Sequence, residues 1–147
     1  MLTSNNNKIN MITNTENNRS TLQANWLQHT NVTNDFELSN QYANICQQHK
    51  QEKKWVLFIN PAESSIEKLA KTHGVDVSKI LMVNYKNSAN HHSKIDLNQI
   101  KSVLSKGNCS AVILSNSLLG ESEIAQLECS AKTGKTHCFL VKKCQLH

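Results

Sequence analysis

The fold of this chain is decided by residues 53–83, which read KKWVLFINPAESSIEKLAKTHGVDVSKILMV. Two lysines precede an apolar run, Trp55–Ile59, that is typical of a strand covered on both faces of a parallel sheet. Pro61 interrupts the run and can open a helix, while Gly74 is suited to stop one. Ile80–Val83 reads as a second apolar strand. The stretch therefore predicts one β-α-β unit in about thirty residues, the minimum that such a unit needs.

The same alternation continues to the end of the chain. A helix with Asp35 as its N-cap is expected before the unit, and after it come a helix from Asp96 to Gly107, a strand at Ala111–Leu114, a helix at Glu121–Ala131 and a strand at Cys138–Val141. Apolar strands that alternate with amphipathic helices are typical of a parallel sheet flanked by helices. The sequence therefore predicts a single-domain α/β fold in the order β-α-β-α-β-α-β.

The composition changes near the start of this domain. Residues 1–50 contain twelve asparagines and carry no net charge. Few apolar residues lie in the first part of this stretch, so burial cannot offset the entropy of ordering it. We therefore expect residues 1–34 to form a disordered or weakly ordered Asn-rich N-terminal tail, and residues 35–147 to form the α/β domain.

Charge and hydropathy limit the classes of partner. The formal net charge is +5, and all of it arises in residues 51–147. These basic residues are spread singly and form no clustered stripe, so nucleic-acid binding is not favoured. No apolar run reaches the length of a membrane span, and the N-terminus has no signal-peptide core. The sequence predicts a cytoplasmic protein with no membrane segment.

The chain has five cysteines and seven histidines, but they are not arranged in a recognisable site. No C-x-x-C pair is present, and an odd number of cysteines does not favour a disulfide framework. A metal site can be imagined from Cys138, Cys144 and His147 together with His137, but the spacing is poor for zinc. Cys109 and Cys138 are better interpreted as small buried residues of strands. We predict neither a metal nor a cofactor.

No catalytic motif appears at the ends of the predicted strands. Gly134-Lys135-Thr136 ends like a P-loop, but it lacks the earlier glycine and follows a helix instead of a strand. Ser115 and Ser117 follow a strand without the G-x-S-x-G turn of a hydrolase. The sequence therefore favours a binding protein over an enzyme, and a small hydrolase that uses one of these serines stays as an alternative.

Three segments resemble the bacterial cell division inhibitor SulA family. They are residues 53–61, residues 78–82 and the run Lys106-Gly107-Asn108-Cys109-Ser110-Ala111-Val112-Ile113, which matches the strand signature of that family. The likeness covers roughly residues 53–142. It implies a RecA-like α/β fold with no P-loop and no nucleotide site. A RecA-like nucleotide or DNA-binding module is the alternative that keeps this fold.

The resemblance also implies a function. SulA proteins are induced in the SOS response to DNA damage, bind the tubulin-like protein FtsZ and block its polymerisation, which prevents septation during the cell cycle. The family also implies a homodimer, no enzymatic activity, and degradation by the Lon protease through a C-terminus that here ends in His147.

Four positions of the family pattern can be transferred to this chain. The basic position before the tryptophan falls on Lys54, the apolar end of that strand on Ile59, the aromatic position of the next helix on Leu69, and the lysine before the second strand on Lys79. The resemblance implies that these residues bind the partner. Two of them depart from the family, with lysine in place of arginine at 54 and leucine in place of tryptophan at 69. The periodicity by itself assigns Ile59 and Leu69 to the core, and both interpretations stay open.

Overall fold

The computed structural model describes residues 25–85, 95–115 and 117–144. These residues form five strands, four α-helices and one short 3₁₀ turn. The elements are β1 (Leu27–Val32), α1 (Asp35–Gln48), β2 (Trp55–Ile59), α2 (Glu63–Lys71), the 3₁₀ turn (Val77–Lys79), β3 (Ile80–Val83), α3 (Leu97–Lys106), β4 (Cys109–Ser115), α4 (Glu121–Gly134) and β5 (His137–Lys143).

All neighbouring strands are parallel, in the order β1-β5-β4-β2-β3. The β-α-β unit predicted for residues 53–83 is confirmed, because β2 and β3 pair directly, with Val56 opposite Ile80 and Ile59 opposite Val83. The chain then crosses back, since β4 lies on the other side of β2 and β5 lies beyond β4. Strands β2, β4 and β5 therefore form the interior of the sheet.

The helices cover both faces of the sheet, as a parallel sheet requires. On one face, Tyr42 of α1 and Leu69 of α2 pack against Phe58 and Ile113. On the other face, α3 and α4 pack over the sheet, and their buried residues include Ile100, Leu104, Leu127 and Ala131. Alternate side chains of each central strand supply the two cores, so the three layers follow from strand periodicity.

Local signals set the helix ends. The N-cap of α1 is Asn34, whose side chain accepts from the backbone N–H of Glu37 at 2.8 Å, so the prediction of Asp35 as the cap was wrong by one residue. Asparagine is as good a cap as aspartate, and the sequence offers both in a row. Helix α3 does use Asp96 as its cap, and it ends at Gly107 in the left-handed conformation that glycine favours.

Strand β1 is the main difference from the sequence prediction. Residues 27–32, which we assigned to the N-terminal tail, form an edge strand paired with β5. Only the terminal residues of β1, Leu27 and Val32, are buried, so the segment shows no apolar run. Its place in the sheet comes from backbone pairing, which a hydrophobic pattern does not report. Residues 1–24 lie outside the described residues.

Candidate partner-binding site

Two of the transferred positions, Lys54 and Lys79, come together at the amino ends of β2 and β3. Both line one cleft of about 220 Å³ between the end of α1 and these strands. Strand pairing explains the proximity, because Lys54 and Lys79 each precede a parallel neighbouring strand. Both side chains are exposed to solvent. The two lysines therefore lie at the same edge of the sheet.

Trp55 joins this lysine pair. The Nζ atom of Lys79 lies 5.1 Å from the centroid of the Trp55 ring, which is within cation–π range. The ring is 38% exposed although it begins a central strand. A partly exposed tryptophan beside Lys79 can offer both apolar area and a polar edge to a partner. The sequence analysis assigned Trp55 to the strand and did not select it as a binding residue.

The turn before β3 fixes the position of Lys79. Gly74 has a φ of 65°, which reverses the chain after α2. Asp76 then caps the 3₁₀ turn by accepting from the backbone N–H of Ser78 at 2.9 Å. Hydrogen bonds from the Ser78 backbone and side chain lower the pKa of the Asp76 carboxyl, and the nearby charge of Lys79 lowers it further. The lysine is therefore held on a capped turn.

The opposite wall of the cleft mixes charges. His49 is buried at the end of α1, and its Nδ1 atom lies 2.6 Å from the Glu52 carboxylate. His49 and Glu52 line the same cleft as Lys54 and Lys79. The lining of the cleft therefore mixes lysines with carboxylates, including Asp76 close to Lys79, an arrangement suited to polar recognition of a protein surface.

Ile59 and Leu69 do not join this surface. Ile59 is 2% exposed and belongs to the core beneath α3 and α4, whereas Leu69 is fully buried in the core beneath α1 and α2. The two residues lie on opposite faces of the sheet. In this conformation they contribute to the packing of the β-α-β unit and offer no area to a partner.

The carboxyl ends of the strands are where a parallel sheet usually binds ligands, at the point where the strand order reverses. Here that point lies between β2 and β4, and Tyr42 fills it. Tyr42 is fully buried, its hydroxyl lies 2.5 Å from the Ser115 hydroxyl, and it accepts from the backbone N–H of Ala62 at 3.4 Å. A tyrosine therefore occupies the start of α2, where a P-loop would hold phosphate.

The other chemical candidates have structural roles. Gly134 ends α4, Lys135 adopts a left-handed conformation, and the Thr136 hydroxyl donates to the carbonyl of Leu104 at 3.0 Å. This triplet joins a helix to a strand, as the sequence predicted, and is not a P-loop. Gly134 is also sterically required, because a Cβ atom there would lie 1.8 Å from the Leu104 carbonyl oxygen.

Three of the five cysteines, Cys46, Cys109 and Cys138, are buried and behave as small apolar residues. Cys109 and Cys138 are buried, and burial raises the pKa of Cys138 to about 12 and that of Cys46 to about 11. Within residues 25–85, 95–115 and 117–144, no three metal-ligating side chains are grouped. His147 lies outside the described residues. No helix in the described part of the chain is long and apolar enough to cross a membrane.

The fold and the site define a class: a three-layer parallel α/β domain with exposed lysines at the amino ends of its strands and a closed crevice at their carboxyl ends. No protein-family model matches the chain, and no curated protein matches it in sequence. Among solved structures, it is similar to SulA from Pseudomonas aeruginosa, with a TM-score of 0.62 and 18% identity over 80% of this chain and 98% of that chain. The resemblance inferred from the sequence is thereby confirmed in the fold.

Proposed function

We propose that this protein is a cell division inhibitor that binds FtsZ and blocks its polymerisation. The observation that carries the proposal is that Lys54 and Lys79 line one cleft and that Lys79 also lies over the ring of Trp55. Two positions that the family resemblance links to inhibition become exposed neighbours in three dimensions, although 25 positions separate them in the sequence. The similarity of the fold to SulA supports the same proposal.

The proposed inhibition is stoichiometric binding without catalysis. Lys54 and Lys79 pair with acidic groups of FtsZ, and Trp55 supplies apolar contact area. A specific contact of this kind buries on the order of 1,200–2,000 Å² in total. The lysine at position 54 makes a point-charge contact where arginine would bind a carboxylate with two hydrogen bonds. Ile59 and Leu69 act indirectly, by holding the strand and helix that position the lysines.

The family resemblance also supports proposals about the location, oligomeric state, induction and degradation of this protein in the cell. We place it in the cytoplasm as a homodimer with a RecA-like fold, made in the SOS response to DNA damage and removed by the Lon protease. His147 is the residue proposed for protease recognition. The closed crevice at Tyr42 favours this function over nucleotide binding, because among the described residues the tyrosine occupies the position at which a phosphate would bind.

The direct test is sedimentation of FtsZ polymers together with measurement of GTP turnover. Purified protein should lower both in proportion to its concentration. Lys79→Glu should weaken the inhibition at least tenfold, because it places a negative charge against the acidic partner surface. Lys142→Glu, an equal charge change at the exposed end of β5, should leave inhibition intact. FtsZ polymers that persist at a twofold molar excess of the unmodified protein would overturn the proposal.

A further inference from the structure

A second surface lies on the face of the sheet opposite the Lys54–Lys79 cleft. It is an open groove of about 660 Å³ between the β2–β3 strands and α3. Its floor is apolar and includes Trp55, Leu57, Leu81, Val83 and Val103. We call it the α3 groove. Leu81 is 43% exposed and Val83 is 38% exposed, which is unusual for strand residues of a parallel sheet.

The groove exists because the helical layer stops short of β3. Helix α3 packs beside α4, and its buried residues Ile100 and Leu104 contact β2 and β4. In the described part of the chain no helix lies over β3 on this face. The groove therefore has the position that one more helix of the layer would take, next to α3.

The rim of the groove is basic. Lys53, Lys54 and Lys106 line its end at the amino termini of the strands, and none of the residues that line it is acidic. All three lysines are exposed. Crossover helices in a parallel sheet run opposite to the strands, as α3 does when it ends at Lys106 near the start of β4. A helix beside α3 in that direction would bring its negative dipole end to the lysines.

The rest of this chain offers little of the negative charge that would complement the basic rim of the groove. Residues 86–94 read KNSANHHSK and contain no acid and no large apolar side chain. Residues 1–24 contain a single acid, Glu16, against two basic residues. The exposed face of α4 carries acids but no large apolar side chain, so a second copy docked through α4 would leave the floor of the groove uncovered.

We propose that the α3 groove binds an acidic amphipathic helix of a partner protein. The apolar stripe of this helix covers Leu81, Val83 and Val103, and carboxylates in its last turns pair with Lys53 and Lys106. This mode of recognition is a helix in a groove, in which anchors spaced three and four residues apart supply contact area. The groove and the Lys54–Lys79 cleft share Lys54 at their rims, whereas Lys53 and Lys106 line only the groove, so replacing these two lysines tests the groove alone. The proposal does not depend on FtsZ.

The test is selection of displayed helical peptides on the immobilised full-length protein. The probe is a 20-residue alanine-rich helix library in which one face and the last turn are randomised. Enriched peptides should combine an apolar stripe with Asp or Glu near the C-terminus. Their affinity should fall at least tenfold for the double variant Lys53→Glu/Lys106→Glu and for Leu81→Asp. It should be unchanged for Lys142→Glu.

Each other result overturns the inference. It fails if no peptide is enriched, if the enriched peptides carry no acidic residues, or if they bind the double variant as tightly as the unmodified protein. Circular dichroism checks that the variants fold, and because Lys53 and Lys106 are exposed their reversal should leave the spectrum unchanged. If Leu81→Asp does not fold, the lysine variants still decide the result.

Discussion

The two ends of the parallel strands differ in what they expose. At the carboxyl ends, Tyr42 and Ser115 form a buried hydroxyl pair at the point where strand order reverses. At the amino ends, Lys54, Trp55 and Lys79 remain exposed. In most parallel sheets the carboxyl ends carry the site. The difference teaches that a familiar scaffold can close its usual site with one aromatic side chain and leave lysines and a tryptophan exposed at the opposite end.

The largest expected effect on stability is at the carboxyl ends of the strands. Tyr42→Ala should lower the free energy of unfolding by about 3–5 kcal/mol, because it removes a fully buried ring that packs edge-on against Phe58 at a centroid distance of 4.8 Å. Urea denaturation measures the loss. Phe36→Ala on the same helix is the control, since Phe36 is 67% exposed and its truncation should change stability by less than about 0.5 kcal/mol. Equal losses for both variants would contradict the conclusion that the buried ring of Tyr42 stabilises the closed crevice.

A smaller change keeps the aromatic ring at position 42 and removes only its hydroxyl. Tyr42→Phe should cost about 1–3 kcal/mol, because the Ser115 hydroxyl is left buried without its partner. Removing both hydroxyls in Tyr42→Phe/Ser115→Ala should recover part of that loss. Urea denaturation of the single and double variants gives the coupling energy. Strict additivity would show that the hydroxyl pair does not stabilise the crevice.

Much of the fold behind this contrast could be predicted from the sequence. The apolar runs of β2 to β5 and the helices between them were predicted within a few residues, because their periodicity is strong. The proximity of Lys54 and Lys79 followed from parallel pairing alone. Strand β1 was missed because its inner residues are polar. The role of Tyr42 was missed because helical periodicity indicates only that this residue is buried. It does not indicate that the hydroxyl contacts Ser115 at the carboxyl end of β4.

At the amino ends the expected effect on stability is smaller. Lys79→Met removes the charge above the Trp55 ring and keeps the length of the side chain, so it should cost about 0.5–1 kcal/mol. The same change at Lys71, an exposed position of α2, is the control and should be neutral. Thermal unfolding at low and high salt measures both. An identical response of the two variants would mean that the contact with Trp55 does not contribute to folding.

The smallest effect is a pH dependence near β5. Burial lowers the pKa of His137, as does the facing His49, while the Asn25 backbone and Glu52 oppose the shift. The folded protein therefore binds fewer protons than the unfolded chain, so stability should be lost as pH falls below about 6.5, the ordinary histidine pKa. His137→Gln should flatten the profile of urea midpoints from pH 7.5 to 5.5.

The control for this pH profile is His29→Gln, because His29 is exposed on β1. Its profile should follow that of the unmodified protein. A profile for His137→Gln that keeps the original slope would show that His137 does not cause the dependence.

The pairing of β1 with β5 has a consequence for how the chain reaches its fold. Leu27 lies opposite Cys138, so the first described strand meets the last one only after everything between them has been made. Closing so long a loop is slow compared with forming the local β2-α2-β3 unit. During synthesis β1 stays without its pairing partner until β5, the last described strand, has been made. We therefore expect assembly to begin with the local β2-α2-β3 unit and to end with the pairing of the first and last described strands.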